Sequence, residues 1–549
     1  MTRPFFRALA DPRSWPWLAL APVAILAGVW LRVWQLRSQV LIDDEWHAVR
    51  ELIGSGAAGI ASHFGYADYS IPLTLYYRWL YDHAALSEWQ MHLPLLVAGI
   101  AFLFVAPYLL RRFVPLRVRV VWTLLLAISP VLVYLSRTAR PYALVCLFAF
   151  VAIVAFERWH RERSRGAAIA YALATVAGAW LHLLSIVFTL WPFVWFGLPM
   201  LRDAWRGRGD SRRQVRGLFA LAFATVAGLA IVLAPPIRGD WHSMIAKAGA
   251  GTVTPDTLYR SLLMMLGVSS AWLGIALAIL LALGLRELLR RERAFARYVL
   301  SLVVAGSLAV ALARPAWVQH QQTFVRYVLP IVPFVLLFVA EGLVLVVARL
   351  RMPPLAALAA SFAIAALVAA GPLPGYYTYP NQFMGHAIHQ FDFAADHNPY
   401  ATRLELGPVS SFYRDLATRP PGSITLIEAP ARLISHFLPD PWYQAIHRQN
   451  VKFALVAPVC GGEADEFPST ATGTRFRTIG KLADILDGAT WGADYLVLRM
   501  HAWSEPPGIE MPWPDMAACA AKVETRLGAP VYRDAEITVF ALGGNKRKD

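Results

Sequence analysis

A chain of 549 residues that is 57% hydrophobic and only 16% charged is too apolar for a water-soluble domain and reads as a polytopic α-helical membrane protein. Its formal net charge of +15 does not point to nucleic acid, because the arginines fall as topology signals between apolar runs, where they face anionic lipid headgroups.

About eleven apolar runs approach the roughly 20 residues needed to cross a hydrocarbon core. They lie at 15–36, 92–110, 120–135, 143–157, 167–181, 183–200, 218–236, 261–285, 298–313, 327–347 and 353–371. The first is too long for a removed signal peptide and lacks a small-residue cleavage site. Every second connection is basic: Arg3, Arg7 and Arg13 precede the first run, Arg111, Arg112, Arg117 and Arg119 follow the second, and Arg158, Arg161, Arg163 and Arg165 follow the fourth. The pattern repeats after the sixth, eighth and tenth runs. Short cytoplasmic loops retain Lys and Arg, so the N-terminus is expected inside and everything beyond 371 outside.

The first outer loop, 37–91, is far longer than an ordinary connection, and such loops are usually functional. It opens on three consecutive carboxylates, Asp43, Asp44 and Glu45. An isolated acidic triplet is most often a solvated turn. Crowded beside a low-dielectric slab, however, its members repel one another, which suits a general base or a metal ligand. The amphipathic stretches from Trp46 to Ile53 and from Pro72 onward, rich in Trp and Tyr, are expected to be helices lying along the membrane surface.

The spans are nearly free of ionisable residues, Glu341 being an exception, whereas a proton-coupled transporter would hold carboxylates or histidines near the midplane. Polar chemistry gathers instead in the outward segments: Ser136 to Tyr142, His182, Arg238 to Arg260 and Arg314 to Arg326. A site split between bilayer and water suits a substrate with a lipid tail and a polar head.

Residues 372–549 are more polar and alternate short strand-like runs (422–427, 452–456, 494–498 and 536–540) with helical patterns at 441–450, 481–487 and 516–527. This predicts a separate extracytoplasmic α/β domain behind a transmembrane domain of 1–371. Cys460 and Cys519 lie on the oxidising side, where a disulfide is allowed. Cys146 falls inside a span and reads as packing.

Four features resemble the GT-C superfamily of polytopic glycosyltransferases, in the broad bacterial branch that includes protein mannosyltransferases and the aminoarabinose transferase of lipid A. They are the acidic Asp44-Glu45 pair in the first loop, the Ser70-Ile71-Pro72-Leu73-Thr74-Leu75-Tyr76-Tyr77 run, the Ser136-Arg137-Thr138-Ala139-Arg140-Pro141-Tyr142 signature, and Arg326-Tyr327-Val328-Leu329-Pro330 opening a late span. The third is the most specific. In the second, a histidine often found before the proline is replaced by Ser70-Ile71.

The resemblance implies inverting transfer of a sugar from a polyprenyl-phosphate donor to a glycan, lipid or protein acceptor at the outer face of a bacterial inner membrane. It implies a base in the acidic cluster, with Asp44 the choice ahead of Glu45 and Asp43, and a phosphate clamp of Arg137, Arg140 and Arg326, since guanidinium matches phosphate bidentately and keeps its charge. His320, His182, Lys247, Tyr69, Tyr76 and Tyr142 are the further substrate-binding candidates, although each arginine could instead snorkel to headgroups and His182 is more readily an interfacial histidine. No cofactor is required by a lipid monophosphate leaving group, but Asp44 and Glu45 would also suit Mg²⁺ or Ca²⁺, so a divalent cation stays open. A lipid-linked-sugar flippase or a non-enzymatic polysaccharide-assembly protein would use the same basic, aromatic mouth without needing the base.

Overall fold

The computed structural model describes residues 11–41, 43–65, 70–207, 211–246, 248–376, 409–431, 440–457, 459–461, 469–470, 473–474, 476–501 and 513–543. Among the described residues nine helices are long and apolar enough to cross a membrane: Pro12–Ser38, Glu88–Arg112, Tyr142–Glu162, Ser185–Trp205, Arg213–Ser243, Ala271–Arg291, Arg293–Ala313, Leu329–Leu350 and Pro353–Ala370. The pair Leu116–Ile128 and Pro130–Ser136, bent by 58°, makes a tenth if it counts as one span. The remaining apolar run is the 17-residue helix Arg165–Leu181. The chain is a multi-pass membrane protein, and the expected total of about eleven crossings resolves into nine full-length helices, one broken and one short.

Two expected runs are redrawn for identifiable reasons. The run 261–285 is two helices, Pro255–Leu266 and Ala271–Arg291, because Gly267 at φ +78 takes the left-handed conformation that closes the first. The run 120–135 breaks at Ser129-Pro130. Proline has no N–H to offer the carbonyl four residues back, so the regular ladder cannot continue through it.

The chain divides into two compact units. The first contains Met1–Trp34, Ala61–Pro72 and Pro94–Pro374; the second contains Gln35–Ile60, Leu73–Leu93 and Gly375–Asp549. Most of the first outer loop therefore belongs with the C-terminal sheet, where the sequence division had placed it with the spans.

In the first unit, small residues let helix backbones meet. A Cβ on Gly342 would stand 1.9 Å from the Leu280 carbonyl oxygen and one on Gly284 1.8 Å from that of Phe338, so Ala271–Arg291 and Val332–Val347 pack closely through these glycines. Aromatic packing follows, with Phe150 stacked on Phe334 at 5.1 Å and edge-on to Phe102 at 5.2 Å. Phe223, Trp272 and Phe362 are exposed on these helices, as faces turned to lipid require. Glu341, the charge noted inside a span, is paired with Arg291.

The second unit is built on a six-stranded sheet in the order β5-β2-β1-β6-β8-β7, from β1 (Thr425–Ala429), β2 (Asn450–Leu455), β5 (Ile479–Lys481), β6 (Tyr495–Arg499), β7 (Tyr532–Arg533) and β8 (Ile537–Ala541). Strands β3 (Ser469–Thr470) and β4 (Gly473–Thr474) pair separately. β5, β2, β1 and β6 run parallel, while β8 is antiparallel to β6 and β7. Side-chain alternation gives two apolar faces. Ile427, Ala429, Leu496 and Leu498 pack with the helix Met516–Leu527, and Leu426 and Val497 with the helices Ser411–Ala417 and Asp440–His447. The four strands expected from the sequence correspond to β1, β2, β6 and β8. Cys460 and Cys519 form a disulfide, with Cα atoms 4.9 Å apart.

The loop segments of this unit pack on the same sheet. Trp46, in the helix Trp46–Gly54, lies edge-on to Phe453 of β2 at 5.5 Å. Gln444 Nε2 donates to the Ser38 carbonyl at 2.6 Å, and Leu86 bridges in parallel to Phe476, with the Arg477 amide donating to the Leu86 carbonyl at 2.8 Å.

Candidate functional site

In the first unit the Ser136–Tyr142 signature forms a tight turn between two helices. The Arg137 amide donates to the Tyr134 carbonyl at 2.9 Å and that of Arg140 to Thr138 at 2.7 Å. Arg140 is buried. Close to it lie His182, which ends the helix Arg165–Leu181, and Arg326 in the last turn of Gln321–Tyr327. The His182 ring stands 5.6 Å from Tyr142 and 5.6 Å from Tyr327. The Arg326 guanidinium lies over the same two rings, at 5.7 and 5.5 Å. Each contact is within the range of cation–π attraction.

Burial pushes the His182 pKa down to about 3, and the positive charges of Arg140 and Arg326 add to the shift. The imidazole is therefore neutral at pH 7. Its Nδ1 accepts from the Leu184 amide at 3.3 Å, which leaves the proton on Nε2. Two guanidiniums, one neutral N–H donor and two aromatic rings thus share a small volume. Such an array suits an anion, since charged donors at one place make strong, bidentate hydrogen bonds to phosphate oxygens.

Arg137 is placed differently. It is 1% exposed, and its Nη1 donates to the carbonyls of Leu31 at 3.1 Å and Trp34 at 2.7 Å. Two residues separate it from Arg140, yet its side chain serves the end of the first helix. His320 sits at the start of Gln321–Tyr327 and stacks on Trp317 at 6.1 Å. Six residues of helix, about 9 Å of rise, separate it from Arg326. Lys247 and Tyr69 lie outside the described residues.

In the second unit, Asp43–Glu45 form one 3-10 turn. The turn gives its members different surroundings. Glu45 is fully buried and accepts from His92 Nε2 at 2.9 Å. Asp44 keeps 17% of its side-chain surface exposed and lies 3.9 Å from His47 Nδ1, so it is the carboxylate of the described pair that solvent reaches. The Asp43 side chain lies outside the described residues. Tyr76 donates through its hydroxyl to the Gln90 carbonyl at 3.3 Å, and partial burial raises its pKa above the ordinary tyrosine value.

Among the described residues no three His, Cys, Asp or Glu side chains group as a metal site, and Oε1 of Glu45, one of the two carboxylates considered for a cation, accepts from His92. The sequence reading missed His92 and Arg32, and it had Tyr327 only as part of the late-span motif. His92 and Arg32 each left a signal, a lone ionisable residue in an apolar run.

No family model matches the chain, and no curated protein matches it. Solved structures do. ArnT from Cupriavidus metallidurans in the apo state is 16% identical over 96% of this chain and 97% of its own, with a TM-score of 0.43. The same protein bound to undecaprenyl phosphate is 15% identical over 97% of this chain and 98% of its own, with a TM-score of 0.46. The Archaeoglobus fulgidus oligosaccharyltransferase, in a complex with Zn and sulfate, is 14% identical over 88% of this chain and 68% of its own, with a TM-score of 0.43.

Proposed function

We propose that this chain is an inverting GT-C-type glycosyltransferase that moves a sugar from a polyprenyl-phosphate donor to a hydroxyl-bearing acceptor at the outer face of the bacterial inner membrane. The observation that supports it most is Arg326 and neutral His182 set against the rings of Tyr142 and Tyr327, with the charge of Arg140 near enough to His182 to lower its pKa. In the reaction the acceptor oxygen attacks the anomeric carbon, the bond from that carbon to the phosphate oxygen breaks, and the polyprenyl phosphate departs with the electron pair. The guanidiniums stabilise the charge growing on the phosphate, the interaction that most lowers a barrier of this type. Asp44 takes the proton released by the acceptor hydroxyl. Glu45, held by His92, fixes the turn on which Asp44 sits, and Arg137 is given a structural part.

The test uses purified protein in proteoliposomes with a polyprenyl-phosphate sugar. Asp44→Asn should still bind the lipid phosphate and fail to transfer; a flippase or an assembly scaffold would be indifferent to that change. Mass spectrometry of envelope glycolipids from a deletion strain identifies the sugar and the acceptor.

A further inference from the structure

The turn that carries Arg140 is locked by a second buried arginine, Arg32, which belongs to the first helix, Trp15–Val33. Arg32 is 1% exposed. Its Nη1 donates to the carbonyls of Ala127 at 2.9 Å and Gly28 at 3.0 Å, its Nη2 to that of Leu126 at 3.2 Å, and its Nε to Ser136 Oγ at 3.3 Å. The Leu126 carbonyl is the one that residue 130 would serve in an unbroken helix, and residue 130 is proline. The bend at Ser129-Pro130 likewise separates the Ala127 carbonyl from the amide that would follow. Arg32 therefore replaces the donors lost at the break, and its Nε reaches on to the first residue of the signature turn.

Arg137 does the converse. It donates to the carbonyls of Leu31 and Trp34 at the end of the Arg32 helix, where Gln35, at φ +50, has left the helical conformation. Arg32 thus serves the open carbonyl end of the helix Leu116–Ile128, and Arg137 that of the helix carrying Arg32, the end at which positive charge is also favoured by the helix dipole. Neighbouring glycines make the room. A Cβ on Gly99 would stand 2.1 Å from Ser136 Oγ and 3.3 Å from Arg32 Nε, and one on Gly28 would stand 2.9 Å from the Ala127 Cβ.

We infer that Arg32 and Arg137 form a reciprocal clamp of positioning residues that holds the Ser136–Pro141 turn, and with it Arg140, in place; the functional part of this rests on Arg140 being a phosphate-binding group. The planar guanidinium is what the site needs, because it meets three carbonyls and a hydroxyl from separate nitrogens, four acceptors against the three donors that an ammonium holds on one atom.

The experiment is hydrogen–deuterium exchange of the full chain in nanodiscs, paired with undecaprenyl phosphate binding. Arg32→Met should raise exchange over 129–141 about tenfold, with Arg32→Lys intermediate, while peptides from 332–347 and 425–455 stay unchanged. The same variant should weaken undecaprenyl phosphate binding about tenfold. Arg140→Gln should lose binding with no change in exchange. Unchanged exchange over 129–141 in folded Arg32→Met, or a rise spread evenly over the chain, overturns the clamp. Where Arg32→Met does not fold, Ser136→Ala decides: exchange rising at 136–141 alone supports the clamp, and no rise there refutes it. A wild-type protein that binds no undecaprenyl phosphate would sink the phosphate reading of Arg140, with the exchange data still judging the clamp.

Discussion

His92 Nε2 lies 2.9 Å from Glu45 Oε1, and both side chains are completely buried. A buried pair of this kind is expensive to break, because the partner left behind keeps its desolvation cost without its hydrogen bond. We expect His92→Ala to destabilise the protein by about 3 kcal/mol, read as a lowered thermal midpoint in detergent. Glu45→Gln, which retains an acceptor oxygen, should cost less. Equal midpoints for His92→Ala and wild type would mean that the pair does not hold the acidic turn.

Asp44 and Glu45 should separate kinetically. Loss of a general base typically costs on the order of 10²–10⁴ in rate, so Asp44→Asn should lower kcat by that much with little change in the affinity for donor. Glu45→Gln should act mainly through stability. A dead Asp43→Asn beside an active Asp44→Asn would move the base by one residue.

The two arginines near His182 should behave unlike Arg137. Arg326→Ala and Arg140→Gln are expected to raise KM and weaken polyprenyl-phosphate binding while the protein still accumulates in the membrane. Arg137→Ala should reduce folded yield before any kinetic effect is seen. Binding isotherms on matched folded fractions separate the two classes, and a well-folded Arg137→Ala that loses phosphate affinity with exchange over 129–141 unchanged returns that residue to the phosphate-binding arginines.

His447, in the second unit, gives a pH dependence. It is fully buried, and burial first and the Arg499 charge second hold its pKa down to about 3, against 6.5 when free. Above pH 6.5 folded and unfolded chains both keep it neutral and it contributes no slope. Between 6.5 and 3 the unfolded chain binds a proton that the folded chain does not, so stability falls with falling pH by up to about 1.4 kcal/mol per unit. His447→Gln should flatten the decline in thermal midpoint between pH 7 and pH 5; a curve parallel to wild type would show that His447 is not the titrating group.

Thiol counting tests the disulfide. Denatured, unreduced protein should react with one maleimide per chain, at Cys146, and with three after reduction, because Cys460 and Cys519 are bridged. Closing a loop of 59 residues is worth about 4 kcal/mol in the chain-entropy account. Three reactive thiols before reduction would contradict the bridge.

Much of the architecture was readable because a membrane span and a buried strand announce themselves by length and composition. The apolar runs, the strands around Ile427 and Leu496, and the helix starting at Trp46 were legible for that reason. The short strands β5 and β7 were not, since three and two residues carry no periodicity. At the site the limit was rotational. Asp44 and Glu45 are chemically alike in sequence, and only the 3-10 turn and His92, 47 residues onward, decide which is buried. Arg137 and Arg140 posed the same problem, because a non-helical turn sends one guanidinium toward Leu31 and Trp34 and leaves the other beside His182.

The contact of Trp46 with Phe453, and the bridge from Leu86 to Phe476, have a consequence for biosynthesis. The acidic turn is translated early, but the strands and bridge that its neighbours pack against come 390 to 407 residues later, from Leu86 to Phe476 and from Trp46 to Phe453. Until those strands emerge, Trp46 has no sheet to cover it, and the contacts must wait for a very long loop to close. A ribosome that stops after the last span, which ends at Ala370, and before β2 would therefore release a protein with its spans complete and its acidic turn unfinished, which couples maturation of that turn to completion of the chain.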